Sequence, residues 1–374
     1  MKNIIKFYKT IALLLLNTLL FLFLLNLALW LLFYLLDANR NQALGAAQYG
    51  DERLKIAYPD WDEDSLHQLL EETWSRPFVC LPFTHIRERS FSGEYIHVDE
   101  AWFRWNAEAA IWPPDEDALN IFVFGGSSTF GYGVADNETI PNDIQKLLAE
   151  QFPERKIQVY NFGQGTYFSA QELRLFENLL LDGHIPDIAI FIDGINETTT
   201  QPYSWYEIDC ALQENRENLL KPAFELPMMR AASAILRRFE SNDDVANTDD
   251  NTVPMETVDS GQVFLNRWLS NREMLRGIAA NFGIDVLFVW QAHPAYHYDT
   301  SYHIFWEAPL PDSSIYPAMA ALENDWQNWD DFLYLADMQI GREELLYVDK
   351  VHYNAAFNAE IAKLIVAAIA ETVK

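Results

Sequence analysis

Hydroxyl, amide and imidazole side chains stand at the ends of apolar runs in this sequence, and these are the groups that acyl transfer uses. The stretch IFVFGGSSTFGYGV (121–134) runs four apolar residues into two glycines, two serines and a threonine. Glycines at such a turn let the chain bend sharply, and backbone N–H groups at a helix start can hold an oxyanion. A nucleophilic serine fits this stretch better than a phosphate cradle, because no Lys precedes its hydroxyl residues and G-x-G-x-x-G is absent. The stretch YVDKVHYN places Asp349 three residues before His352. If it forms one helical turn, Asp349 can hold the imidazole by Nδ1–H and leave Nε2 facing a serine.

Two further apolar runs, VYNFGQGTYFSAQEL (159–173) and FIDGINETT (191–199), close with Gly and Asn. Both residue types supply N–H donors where a tetrahedral intermediate develops charge. Asn196 also begins an Asn-Glu-Thr glycosylation pattern, as does Asn137. At the end of a buried strand no glycan is expected on Asn196. Glu197, Gln291 and His293 stand at or just past strand ends and are candidate substrate contacts. His293 and His297 lack a third ligand, so neither a metal nor a cofactor is expected.

The elements that must position these groups alternate. LNIFVFGG, a helix near 142–151, KIQVYNFG, a helix near 169–181 and DIAIFIDG follow one another from Ala118. The series resumes with a helix near 262–281, the strands IDVLFVWQ and ELLYVD, and a closing helix near 354–373. Such alternation predicts a parallel sheet with helices on its faces, and ligand sites of open sheets lie along the carboxyl edge. The stretch 240–260 has no basic residue and reads as a mobile acidic insertion.

Before this domain, residues 11–36 are almost wholly apolar and uncharged, longer than the roughly 20 residues that span a bilayer. A signal peptide carries a shorter apolar stretch, about 7 to 15 residues, so an uncleaved transmembrane anchor is expected. Lys2, Lys6 and Lys9 put residues 1–10 in the cytoplasm and the rest outside it, periplasmic or at the cell surface. Residues 37–115 are acidic and irregular, with Trp61, Trp74, Trp102, Trp105 and Trp112, and read as a membrane-proximal extension rather than a separate domain. Their rings bury in a core or stack on sugars. A net charge of −29 over 374 residues argues against a nucleic-acid partner. Cys80 and Cys210 are either a disulfide or two buried thiols.

Taken together, the blocks resemble the GDSL or SGNH hydrolases from about Leu119 to the C-terminus. The resemblance implies a flavodoxin-like, three-layer α/β/α sandwich with a mainly parallel sheet, and serine esterase activity. Gly125-Gly126-Ser127 stands where the family has Gly-Asp-Ser, which implies Ser127 as nucleophile. Gly194-Ile195-Asn196-Glu197 stands for Gly-x-Asn-Asp and implies the Asn196 amide as an oxyanion donor beside the Ser127 N–H. Asp349-Lys350-Val351-His352 matches Asp-x-x-His, with His352 as base and Asp349 as its orienter. In the second block the family's Asn-x-Gly-x-x-Gly aligns Gly163, but Thr166 falls on the last Gly and Gly165 one residue early. Either can supply the N–H. The expected activity is hydrolysis of a small acyl ester, acetyl above all, on a small molecule or an envelope or secreted glycan. Two alternatives share the fold: an O-acyltransferase fed by a membrane acyl-donor partner, and a catalytically silent glycan-binding or scaffold protein.

Overall fold

The computed structural model describes residues 2–41, 50–76, 78–81, 84–107, 110–198, 260–306 and 312–374. The acidic stretch (all but its last residue), Cys210 and the Cys80 side chain lie outside the described residues. The N-terminal helix and the remaining described residues belong to separate compact units and are taken in turn.

Helix α1 (Lys2–Asn41) contains an apolar span, Ile4–Leu32, of 29 residues with mean hydropathy 2.4. It starts before the expected boundary because Lys6 and Lys9 are good helix formers and the helix runs through them. It is long and apolar enough to cross a membrane, a property shared by anchors and signal sequences.

In the second unit, five strands form one wholly parallel sheet: β5 (Leu119–Gly125), β6 (Ile157–Gly163), β7 (Ile188–Asp193), β8 (Asp285–Trp290) and β9 (Phe332–Tyr334), in spatial order β6-β5-β7-β8-β9. This is the doubly wound order whose direction reverses beside β5, so a crevice opens past the carboxyl ends of β5 and β7. Side chains alternate across each strand. Ile121, Val123, Ile188, Ile190 and Val289 face one side, where Ile140, Ile144 and Leu148 of α5 (Ile140–Gln151) and Phe357, Ile361 and Ile365 of α10 (Ala355–Val373) cover them. Phe122, Phe124, Phe191, Phe288 and Trp290 face the other, under α6 (Ser169–Leu181) and α7 (Ser260–Phe282). On that side the rings of Phe124, Phe191 and Phe288 stack in a row with centroids 4.9 and 5.3 Å apart. Three layers result, as expected.

The run ELLYVD is not a strand. The chain there makes only an isolated bridge between Tyr347 and Tyr353, and FLY of β9 takes the sheet edge after α8 (Ile315–Ala320) and α9 (Glu323–Trp326). The cause is local: Asp349 Oδ1 accepts the N–H groups of Val351 and His352, each at 2.8 Å, and this turn outcompetes a ladder.

Residues 50–107 pack onto this domain. Helices α2 (Asp51–Ala57) and α3 (Glu63–Trp74) bury Leu54, Leu66, Leu69 and Leu70 against Phe130, Tyr132 and Val348. The short pairs β1 (Val79–Leu81) with β2 (His85–Arg87) and β3 (Phe91–Ser92) with β4 (His97–Val98) follow. All five tryptophans of the extension lean on a core cluster, partly buried.

Candidate active site

Ser127 opens α4 (Ser127–Phe130) directly beyond β5. Of the three adjacent hydroxyls it alone is half-exposed; Ser128 and Thr129 are 5% and 0% exposed. Close packing holds this turn. A Cβ on Gly163 would stand 2.3 Å from the Phe130 nitrogen, so only glycine lets β6 pass this near to α4. Asn161 donates from Nδ2 to the carbonyls of Thr129 (3.1 Å) and Phe130 (3.2 Å). Arg104, 0% exposed, pairs with Asp136 at 2.8 Å and donates to the carbonyls of Phe130, Gly131 and Val134. It thereby satisfies carbonyls left open where α4 ends.

The sheet topology brings Ser127 and the 349–352 turn together. His352 Nε2 lies 2.7 Å from Ser127 Oγ, and His352 Nδ1 lies 2.6 Å from Asp349 Oδ2. Burial pushes the Asp349 carboxyl up, but the adjacent His352 and the two backbone N–H bonds outweigh it and hold the group below its usual range. Asp349 therefore stays ionised and fixes the tautomer with a proton on Nδ1, leaving Nε2 to accept from the serine. The pairing matches the expected geometry, reached through an Asp-centred turn rather than a helical one.

The second block sits beside Ser127. Gln164 N–H donates to the Gly125 carbonyl at 3.0 Å, and Tyr167 N–H closes a turn on the Gln164 carbonyl at 3.3 Å. Within that turn Thr166 has φ of 66°, the left-handed region. That conformation costs a non-glycine residue about 1–2 kcal/mol. Gly165 N–H is 3.3 Å from Glu88 Oε1 and donates to it. Asn196 donates from Nδ2 to the Tyr167 carbonyl at 2.8 Å, an amide with two donors. A Cβ on Gly126 would approach Asn196 Nδ2 to 2.5 Å, so the amide occupies the space a side chain at 126 would take.

Three expected substrate contacts are corrected. Glu197 is 0% exposed and its carboxylate accepts from Ser169 N–H (2.6 Å) and Ser169 Oγ–H (2.9 Å), tying β7 to α6. It belongs to a buried group with Asp193 and Glu172: burial pushes all three up, and neighbouring carboxylate charge pushes Glu172 and Asp193 up further. Gln291 is 3% exposed and accepts from the Tyr353 hydroxyl at 3.2 Å. His293 is 0% exposed; its Nδ1 accepts from Ala295 N–H, and burial lowers its pKa to about 4, so the ring is neutral. Strand ends pointed to the right edge, but not to which side chains turn inward. Among the described residues no group of three His, Cys, Asp or Glu side chains fits a metal ion.

Two residues missed in the sequence pack on the His352 imidazole. The Tyr132 ring centroid lies 5.2 Å from that of His352, and Trp74, the last residue of α3, meets it nearly edge-on at 5.9 Å. Tyr132 shares the GGSSTFGYG stretch with Ser127, a proximity in sequence that was available as a signal. Trp74 had none, since nothing in the irregular extension relates it to a motif 278 residues away.

No protein-family model matches the chain, and no curated protein matches it. Among solved structures it is similar to the acetyl xylan esterase AlAXEase (15% identity over 67% of this chain and 100% of that one, TM-score 0.38). It is also similar to a protein of the G-D-S-L family from Desulfitobacterium hafniense DCB-2 (11% identity, 67% and 99% covered, TM-score 0.36). A two-domain esterase active on acetylated mannans matches at 15% identity, over 69% of this chain and 51% of that one, with TM-score 0.37. Similarity of this extent carries no activity or substrate from those proteins to this chain.

Proposed function

We propose that this chain is a serine hydrolase of SGNH type that cleaves a small acyl ester, acetyl above all. One observation carries the reading: a half-exposed serine, an imidazole and a buried carboxylate joined at 2.7 and 2.6 Å past the carboxyl edge of a parallel sheet. His352 Nε2 takes the proton of Ser127 as Oγ attacks the ester carbonyl, and the resulting imidazolium is stabilised by Asp349. The oxyanion is received by N–H groups of Ser127 and Thr166 and by the Asn196 amide. Collapse of the tetrahedral intermediate expels the alcohol, which takes the proton from His352. Water, deprotonated by the same imidazole, then releases the acid and frees Ser127.

The N-terminal apolar helix supports a membrane-anchored enzyme, and the lysines at its N-terminal end support an exported catalytic domain. An acylated envelope or secreted glycan is the substrate class this location favours. The full chain in detergent is expected to release p-nitrophenol from p-nitrophenyl acetate, with Ser127→Ala and His352→Ala inactive. A folded wild-type chain without activity on this or on acetylated glycans would overturn the reading; acyl transfer from a donor to glycan would replace it with the transferase.

A further inference from the structure

Resting on the esterase reading above, we propose that Glu88 is a positioning residue of the site. It selects which N–H of the 165–166 turn faces the nucleophile, and it anchors the ring that packs on His352. Glu88 follows β2 in the membrane-proximal extension and is 1% exposed. Its Oε1 accepts the Tyr132 hydroxyl at 2.7 Å and Gly165 N–H at 3.3 Å, while Oε2 accepts Arg76 Nη2 at 3.2 Å. Its own N–H donates to Gln164 Oε1 at 2.7 Å, and Gln164 Nε2 donates to the Trp102 carbonyl at 2.8 Å. One carboxylate thus joins the oxyanion turn, the residue touching the catalytic imidazole and a buried cation.

Two consequences follow from hydrogen-bond capacity. With Gly165 N–H given to Glu88, that amide no longer serves an oxyanion. Among the described residues Thr166 N–H donates to no protein acceptor, and its left-handed φ is the conformation this turn imposes. On the other side, a Tyr132 ring pinned at its hydroxyl cannot swing away from His352, and Trp74 backs it edge-on at 5.2 Å. Energetics favour positioning over stability as the role of the pair. A buried ion pair is often no more stabilising than apolar residues of the same volume, whereas displacement by about 1 Å near reacting atoms can cost 10²-fold in rate.

The test compares the full-length wild type with Glu88→Gln and Tyr132→Phe, measuring kcat and KM on p-nitrophenyl acetate and amide hydrogen exchange. Glu88→Gln keeps the shape and removes the charge; kcat is expected to fall roughly 10- to 100-fold with KM changed less than about threefold. Exchange at Gly165 should accelerate at least about tenfold while the sheet strands keep wild-type protection. Tyr132→Phe is expected to lower kcat by a smaller factor and leave Gly165 protected. Wild-type kcat and Gly165 protection in Glu88→Gln would overturn the proposal, as would faster exchange across the whole domain, which marks a structural role alone. If the wild type lacks esterase activity, the esterase reading fails on its own. Gly165 exchange then decides the clamp: protection lost in Glu88→Gln upholds it, and protection kept overturns it.

Discussion

The sheet edge and the segment 50–107 contribute to the same candidate site by different means. Past β5 and before α10, the chain supplies the proposed reacting groups: Ser127, Asp349 and His352, each held by backbone bonds of its own turn. Residues 50–107 supply no proposed nucleophile or base. They bring Trp74 against His352, Arg104 beneath the loop after α4, and Glu88 to the oxyanion turn. On the proposed reading, chemistry is placed by topology at a switch point, and its precision is set by a segment without regular periodicity.

If that division is right, changes in the two regions break different things. The largest effect is expected at the sheet edge: Ser127→Ala and Asp349→Asn should each lower kcat by about 10³-fold or more by steady-state kinetics, and Ser127→Ala should do so without shifting the melting temperature by calorimetry. Arg104→Leu should do the reverse in kind. It removes the buried cation that pairs with Asp136 and donates to the carbonyls of Phe130, Gly131 and Val134, so stability should fall by about 3 kcal/mol in denaturant titration.

A smaller effect sharpens the comparison inside the sheet layer. Glu172 is raised well above 4.5 by burial first, then by the charges of Asp193 and Glu197. A group whose folded pKa is raised contributes stability below its unfolded value, and that contribution is lost as pH rises toward the folded value. Glu172→Gln should therefore raise the melting temperature by more at pH 8 than at pH 5. An equal change at both would contradict the assignment. Asp349 has the opposite sign: its folded pKa is lowered, so its contribution is lost only as pH falls below the ordinary carboxylate range. The smallest effect is expected at Thr166→Gly, which relieves left-handed strain of about 1–2 kcal/mol, partly offset by about 0.5–1 kcal/mol of glycine entropy. Activity should stay near wild type, because the donor is a backbone N–H.

What the sequence made legible divides along the same line. Strand–helix alternation gave the parallel sheet and its order of elements, because side-chain periodicity is written in each segment. The four blocks were readable because Gly, Asn, Asp and His stand in short local patterns at strand ends. Where the local pattern competed with a turn, as in ELLYVD, Asp349 decided the outcome through bonds that composition does not display. Whether Glu197, Gln291 and His293 face a cleft or the interior depends on helices packed from elsewhere in the chain. The partners of Glu88 are up to 77 residues away, with no period linking them.

Reaction of the full-length protein with a fluorophosphonate, followed by peptide mass spectrometry, tests the central claim most directly: that His352 and Asp349 activate Ser127. The expected result is a single adduct on Ser127, formed slowly in Asp349→Asn and not at all in His352→Ala. An adduct on another serine, or labelling of Ser127 at an unchanged rate in His352→Ala, would contradict it.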